Sequence, residues 1–167
     1  MRRIHGIWGI GQLGQKNPSA LNSLASLIGD KEMEVRANLA RTLGNHGKHL
    51  APFRKALIEM LDDSSPRVVS LAAIALSNHG HKDAVDPAIK MLENNDDNDV
   101  VVRHAGIMIL TKCGEFTPDW KHYDHRSTAV RRAIVIALRR HKSHLLETYF
   151  ADRDQSVRQE AIRAAYE

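Results

Sequence analysis

The chain has 167 residues, 43% hydrophobic and 26% charged, a balance that excludes a disordered polymer. Its one cysteine, Cys113, excludes an internal disulfide, a cysteine-only zinc site and a C-x-x-C-H haem attachment, and no apolar run approaches the ~20 residues that cross a bilayer. Net charge is +4 but alternates: residues 1–58 hold nine Lys and Arg against three Asp and Glu, residues 59–99 three against nine, and residues 121–145 seven against one.

Aromatic residues are scarce at 5% and Leu, Ala, Ile and Arg dominate, which points to helices throughout. From the N-terminus, residues 2–14 read as the second helix of a repeat unit whose first helix is missing. Their end, Ile10-Gly11-Gln12-Leu13-Gly14, is echoed 33 residues later by Leu43-Gly44-Asn45-His46-Gly47. It returns as Leu76-Ser77-Asn78-His79-Gly80 and again as Leu110-Thr111-Lys112-Cys113-Gly114. Ala51 to Leu61 and Ala84 to Leu92 read as shorter partner helices. Pro66, after Asp63-Ser64-Ser65, marks a helix start. Gly47, Gly80 and Gly114 follow the second helices, where a left-handed residue ends a helix. Val130, Ala133, Ile134, Ala137 and Leu138 lie on one helical face. Ala161, Ile162 and Ala165 belong to a last second helix. Short helix pairs bury their apolar faces only by stacking. The expected fold is therefore all-α, a right-handed α-solenoid of about six helix pairs with the first incomplete. Residues 1–167 are expected to form one repeat domain. The missing polar caps predict that it is a fragment of a longer protein.

A second periodicity is polar. Val35-Arg36, Val102-Arg103, Val130-Arg131 and Val157-Arg158 recur, and Asp30, Asp63, Asp97 and Asp152 stand five residues before the corresponding valines. The third unit reads Arg67-Val68-Val69, its arginine displaced, and the fifth has His125 in place of the aspartate. The pattern D-x(4)-V-R-x(3)-A-x(2)-L-G resembles HEAT repeats. That resemblance implies a ladder of Asp30, Asp63, Asp97 and Asp152 with Arg36, Arg103, Arg131 and Arg158 between neighbouring units. Arg3-x-His5-x-Ile7-Trp8, Asn95-Asp96-Asp97, Arg103-His104-Ala105-Gly106 and Ala137-Leu138-Arg139-Arg140 in series are similar to the helical-repeat segment of large bacterial membrane-bound or periplasmic dehydrogenases. Those proteins join a sugar-dehydrogenase-like propeller, HEAT repeats and a cytochrome c domain. The resemblance implies a non-catalytic middle segment of a periplasmic or membrane-associated parent. It carries no catalytic residue over to this chain.

Gly9-Ile10-Gly11-Gln12-Leu13-Gly14 spells a dinucleotide fingerprint, but the fingerprint requires a strand before it and a helix opening within it. Here it falls in a repeat helix, so its glycines are read as packing residues, and no cofactor is expected. His46, His79, Cys113 and His141 share one repeat position, and His122-Tyr123-Asp124-His125 forms a second cluster. Neither fixes the three or four ligands of a metal site, so no metal is expected. Partner binding is assigned to Arg132, Arg139 and Arg140, which return to one side of a helix, with Lys121 and Arg126 nearby. The expected function is a docking scaffold for proteins or neighbouring domains, with no direct membrane insertion. The alternative is a solenoid that binds nucleic acid through this basic face.

Overall fold

The computed structural model describes residues 2–49 and 51–166. Among them the regular structure is α-helix and 3₁₀-helix, with no strand. The chain divides into two compact units, Met1–Gly80 and His81–Glu167, the boundary falling at the end of a repeat.

In the first unit α1 (Arg2–Lys16) packs on the 3₁₀ segment Pro18–Leu27 and on α2 (Met33–Gly44). The short α3 (Arg54–Glu59), flanked by 3₁₀ turns Ala51–Phe53 and Met60–Asp62, packs on α4 (Pro66–Asn78), and α2 also lies against α4. Ile7, Leu21, Leu24, Leu39, Leu43, Leu57 and Leu76 form the core between these elements. Pro66 is the first residue of α4 after the N-cap Ser65, where its missing N–H has no helical partner to lose.

The second unit contains α5 (Val85–Asn95), α6 (Val100–Cys113), α7 (Thr128–Arg140), the 3₁₀ segment His144–Ala151 and α8 (Gln155–Ala165). Successive α-helices pack on one another, and the 3₁₀ segment closes against α8. Asp99 caps α6 by accepting from the Val101 and Val102 N–H groups. On α7 the apolar set Val130, Ala133, Ile134, Ala137 and Leu138 is buried, as its period requires. Residues 114–127 form turns, so the fifth repeat has no first helix. The fold is all-α, and within each unit helix pairs stack in the solenoid manner.

The glycines after the second helices behave differently from the expectation. Only Gly80 is left-handed, at φ 65°. Gly114 is extended (φ −71°, ψ 139°), and a Cβ there would sit 2.5 Å from the Leu110 carbonyl oxygen. Gly47 is required by a neighbour instead, because the His79 imidazole lies directly over its Cα. In α1, a Cβ on Gly11 would meet Thr42 of α2 at 2.7 Å and one on Gly14 would meet Leu21 at 2.6 Å. The fingerprint-like glycines therefore lie inside a continuous helix, where two of them let neighbours approach closely.

The Gly47 contact gives a test. Gly47→Ala forces the His79 ring aside, and the expected loss is ~1–3 kcal/mol of overpacking strain. Urea unfolding of the variant against the parent measures it.

Candidate functional site

The recurring aspartates sit in the turns that lead into second helices. Asp30 accepts from the Glu32 N–H, Asp63 from Ser65 and Asp152 from Asp154, at 2.8–2.9 Å. An Asx turn of this kind fixes the chain direction before the helix. The recurring arginines are anchored within their own units. Arg36, Arg131 and Arg158 each donate from Nη1 to the carbonyl six residues earlier, of Asp30, His125 and Asp152. In Arg36 and Arg131 the other edge of the guanidinium is then directed at the next repeat.

Arg36 meets both oxygens of Asp63 at 2.7 and 2.9 Å, and Arg131 meets both of Asp152 at 2.8 and 3.1 Å. Arg3 pairs with Asp30. The Arg131–Asp152 pair is sealed from solvent, with side-chain exposures of 2% and 6%. Arg131 also donates to the Arg126 carbonyl, so its fork is satisfied on both sides. The hydrogen bonds that Arg36 donates to the Asp63 carboxylate raise the pKa of Arg36. Burial pushes the Asp63 carboxyl up, but the bonds from Arg36 and the Ser65 N–H outweigh it and hold the group below its usual range.

Where the sequence departs from the repeat, the pairing changes. Val69 stands at the arginine position of the third unit, and the displaced Arg67 pairs with Glu34 of α2 at 3.0 Å. Asp97 takes Arg132 at 2.9 Å and Arg103 of its own repeat at 3.7 Å. Asp96 and Asp97 carry left-handed backbone (φ 43° and 62°), a conformation Asp tolerates better than most residues.

The basic block of residues 121–142 faces carboxylates of its own unit. Lys121 and His122 both bond Asp86 at 2.8 Å, Arg126 bonds Glu93 at 2.6 Å, and Arg139 lies 3.7 Å from Glu160. The hydrogen bonds from Lys121 and His122 hold Asp86 below its usual range, as the bond from Arg126 does Glu93. Although Arg132 and Arg139 share one side of α7, the first reaches back toward α6 and the second forward to α8. Arg140 and Lys142 are exposed and, among the described residues, have no carboxylate partner.

The histidines at the shared repeat position are hydrogen-bonded to backbone. His79 Nε2 bonds the Gly44 carbonyl at 2.8 Å, His141 Nε2 the Thr111 carbonyl at 2.7 Å, and His46 the backbone of Gly11. Each acceptor follows the repeat Leu or Ile of the preceding unit, so each ring ties the end of one second helix to its neighbour. Burial lowers the pKa of both His46 and His125. Cys113, fourth at that position, is buried with its thiol pushed up to about 11, too high for a nucleophile at neutral pH. Among the described residues no three or more His, Cys, Asp or Glu side chains converge on a metal-sized site.

Sequence reasoning missed an aromatic cluster in the non-helical segment 114–127. Trp120 makes edge contacts with Phe116, His122 and Tyr123, with ring centroids 4.9–5.4 Å apart, and Phe116 adds His141. Tyr123 packs on Tyr149, whose hydroxyl donates to the Tyr123 carbonyl at 2.9 Å. Ring packing thus takes the place of the absent first helix. The signal was present as the local density of Phe, Trp and Tyr in a chain otherwise poor in them. It also missed a groove at the end of α7, lined by Arg139, Arg140 and Lys142 on one side and by Leu146, Phe150 and the last turn of α8 on the other.

These features define a helical-repeat protein in which, within each compact unit, charged and imidazole side chains tie neighbouring helix pairs together. Residues 54–119 match the HEAT repeats family, so the chain carries a HEAT-like repeat segment. The curated proteins gave no match. Among the described residues, no helix is long and apolar enough to cross a membrane.

Two outcomes follow. Arg131→Met strands the Asp152 carboxylate and is expected to cost ~3–5 kcal/mol, whereas Arg131→Met with Asp152→Leu recovers much of it. Denaturant midpoints of the two variants decide the matter. Stability should also fall with acid in two stages. His46 and His125 have depressed folded pKa values, so the unfolded state takes up protons first as pH drops below about 6.5. The depressed carboxylates Asp63 and Asp86 contribute stability above their unfolded pKa of about 4, lost as pH falls through the folded values. Urea midpoints at about pH 8, 5.5 and 3.5 should decline in that order, and His46→Asn should flatten the first stage.

Proposed function

We propose that this chain is a non-catalytic docking scaffold for a protein partner or for neighbouring domains of a longer polypeptide. The observation that carries the reading is the use made of the reactive side chains. Arg36, Arg131, His79 and His141 are engaged in ties between helix pairs, Arg103 and Arg158 are bonded within their own repeats, and Cys113 is held protonated within the core. What the repeats leave for function is surface, and HEAT-like segments commonly act through surface. The similarity to the repeat segment of large dehydrogenases supports a place between a propeller and a cytochrome c domain, in the periplasm or at a membrane.

The nucleic-acid alternative depends on a continuous cationic face. Lys121, Arg126, Arg132 and Arg139 each lie within ion-pair distance of a carboxylate, which removes most of the phosphate contacts such a face would offer.

Zero-length cross-linking in the source cells, followed by calorimetry with each purified cross-linked protein, tests the proposal. A saturable complex with one folded protein or domain is expected. Duplex DNA binding with a log–log salt slope of about −4 or steeper, and no protein complex, overturns it.

A further inference from the structure

The groove beside α7 has a volume of about 720 Å³ and a divided chemistry. Its floor is apolar, made by Leu146, Phe150 and the last alanines of α8, Ala164 and Ala165. Phe150 is 40% exposed there, high for a ring of its size. The rim carries Arg140 and Lys142, the two exposed cations of the basic block without a carboxylate partner among the described residues, and Arg139 beside Glu160. Among the described residues, Glu147 is the one carboxylate lining it.

Lys142 is placed against the preference of its own backbone. Counting four residues from the repeat leucine gives Gly47, Gly80 and Gly114 in the earlier units and Lys142 here. Gly80 adopts φ 65° at no steric cost, and Lys142 adopts φ 50°, where a Cβ is unfavourable. In that conformation Lys142 lines the groove together with Arg140 and brings a second exposed cation to it.

We propose that this groove docks an acidic amphipathic segment of a protein partner. Apolar side chains of the segment lie on Phe150 and the α8 alanines, and its carboxylates meet Arg140 and Lys142. The inference rests on the docking reading and names its partner chemistry. A nucleic-acid strand fits less well, because an apolar floor offers nothing to a phosphate backbone and the two cations Arg140 and Lys142 are too few to follow one.

The probe is a fluorescein-labelled peptide of about twelve residues in which Glu alternates with Leu and Phe, read by anisotropy. Saturable binding is expected, weakened at least ~5-fold by Arg140→Glu or Lys142→Glu and by replacing the Leu and Phe with Ser. Lys142→Gly separates function from folding, since it should raise the thermal midpoint by a few degrees while weakening the peptide ~3-fold. Unchanged affinity in the charge variants overturns the proposal, as does equal binding of the Glu/Ser peptide. Full competition by a single-stranded oligonucleotide overturns it in favour of nucleic acid. A cross-linked partner that binds Lys142→Glu as tightly as the parent would remove the groove but leave the scaffold reading standing.

Discussion

A helix pair of this size buries its apolar stripe only against another pair, so the approach of neighbouring helices governs everything else in the molecule. That approach is set by missing atoms. A Cβ on Gly11 would collide with Thr42, one on Gly44 would crowd Ala75 at 3.0 Å, and one on Gly106 would meet Leu92 at 2.6 Å. Once backbones lie this close, polar groups at helix ends and turns come within reach of the adjacent unit. The imidazole of His79 over Gly47 and the guanidinium of Arg131 in its sealed pair both exploit that proximity. Burial of apolar faces supplies most of the stability, and the directional bonds join polar groups that the packing brings within reach.

The same closeness determines the electrostatics. Acidic and basic stretches are separate along the sequence, yet in the second unit they face each other. Asp86, Glu93 and Asp97 on one side meet Lys121, Arg126 and Arg132 on the other. A pI near 9.4 therefore does not translate into a broadly cationic surface there. Among the described residues Arg140 and Lys142 have no carboxylate partner, and their place beside exposed apolar surface gives the docking proposal its chemical direction.

Much of the fold was legible because its information is periodic. Valine, alanine and leucine at helical spacing gave α7 its buried face, and Pro66 after Ser65 gave α4 its start. The failures share a cause. Gly47 and Gly114 looked like left-handed helix ends because glycine is the residue such ends select, but one accommodates a ring 32 positions away and the other an extended turn. The fifth repeat was counted as a unit from its Val-Arg step, while its first half is an aromatic cluster with no helical period to detect. Of the site, the sequence named the charged and imidazole residues but not where each would point.

The sequence by itself determined the helical class, the repeat length, and which residue types recur at each turn, because these follow from local spacing and from the burial a short helix pair requires. Only the tertiary structure decided who meets whom. Asp63 receives Arg36 while Asp97 receives Arg132 and Arg103, and His141 reaches the Thr111 carbonyl. Lys142 keeps the open rim of a groove while Lys121 is held by Asp86. Periodicity along a chain fixes which face a residue occupies. The partner across that face depends on how the neighbouring helix is shifted and turned, and that is set by packing between residues distant in sequence.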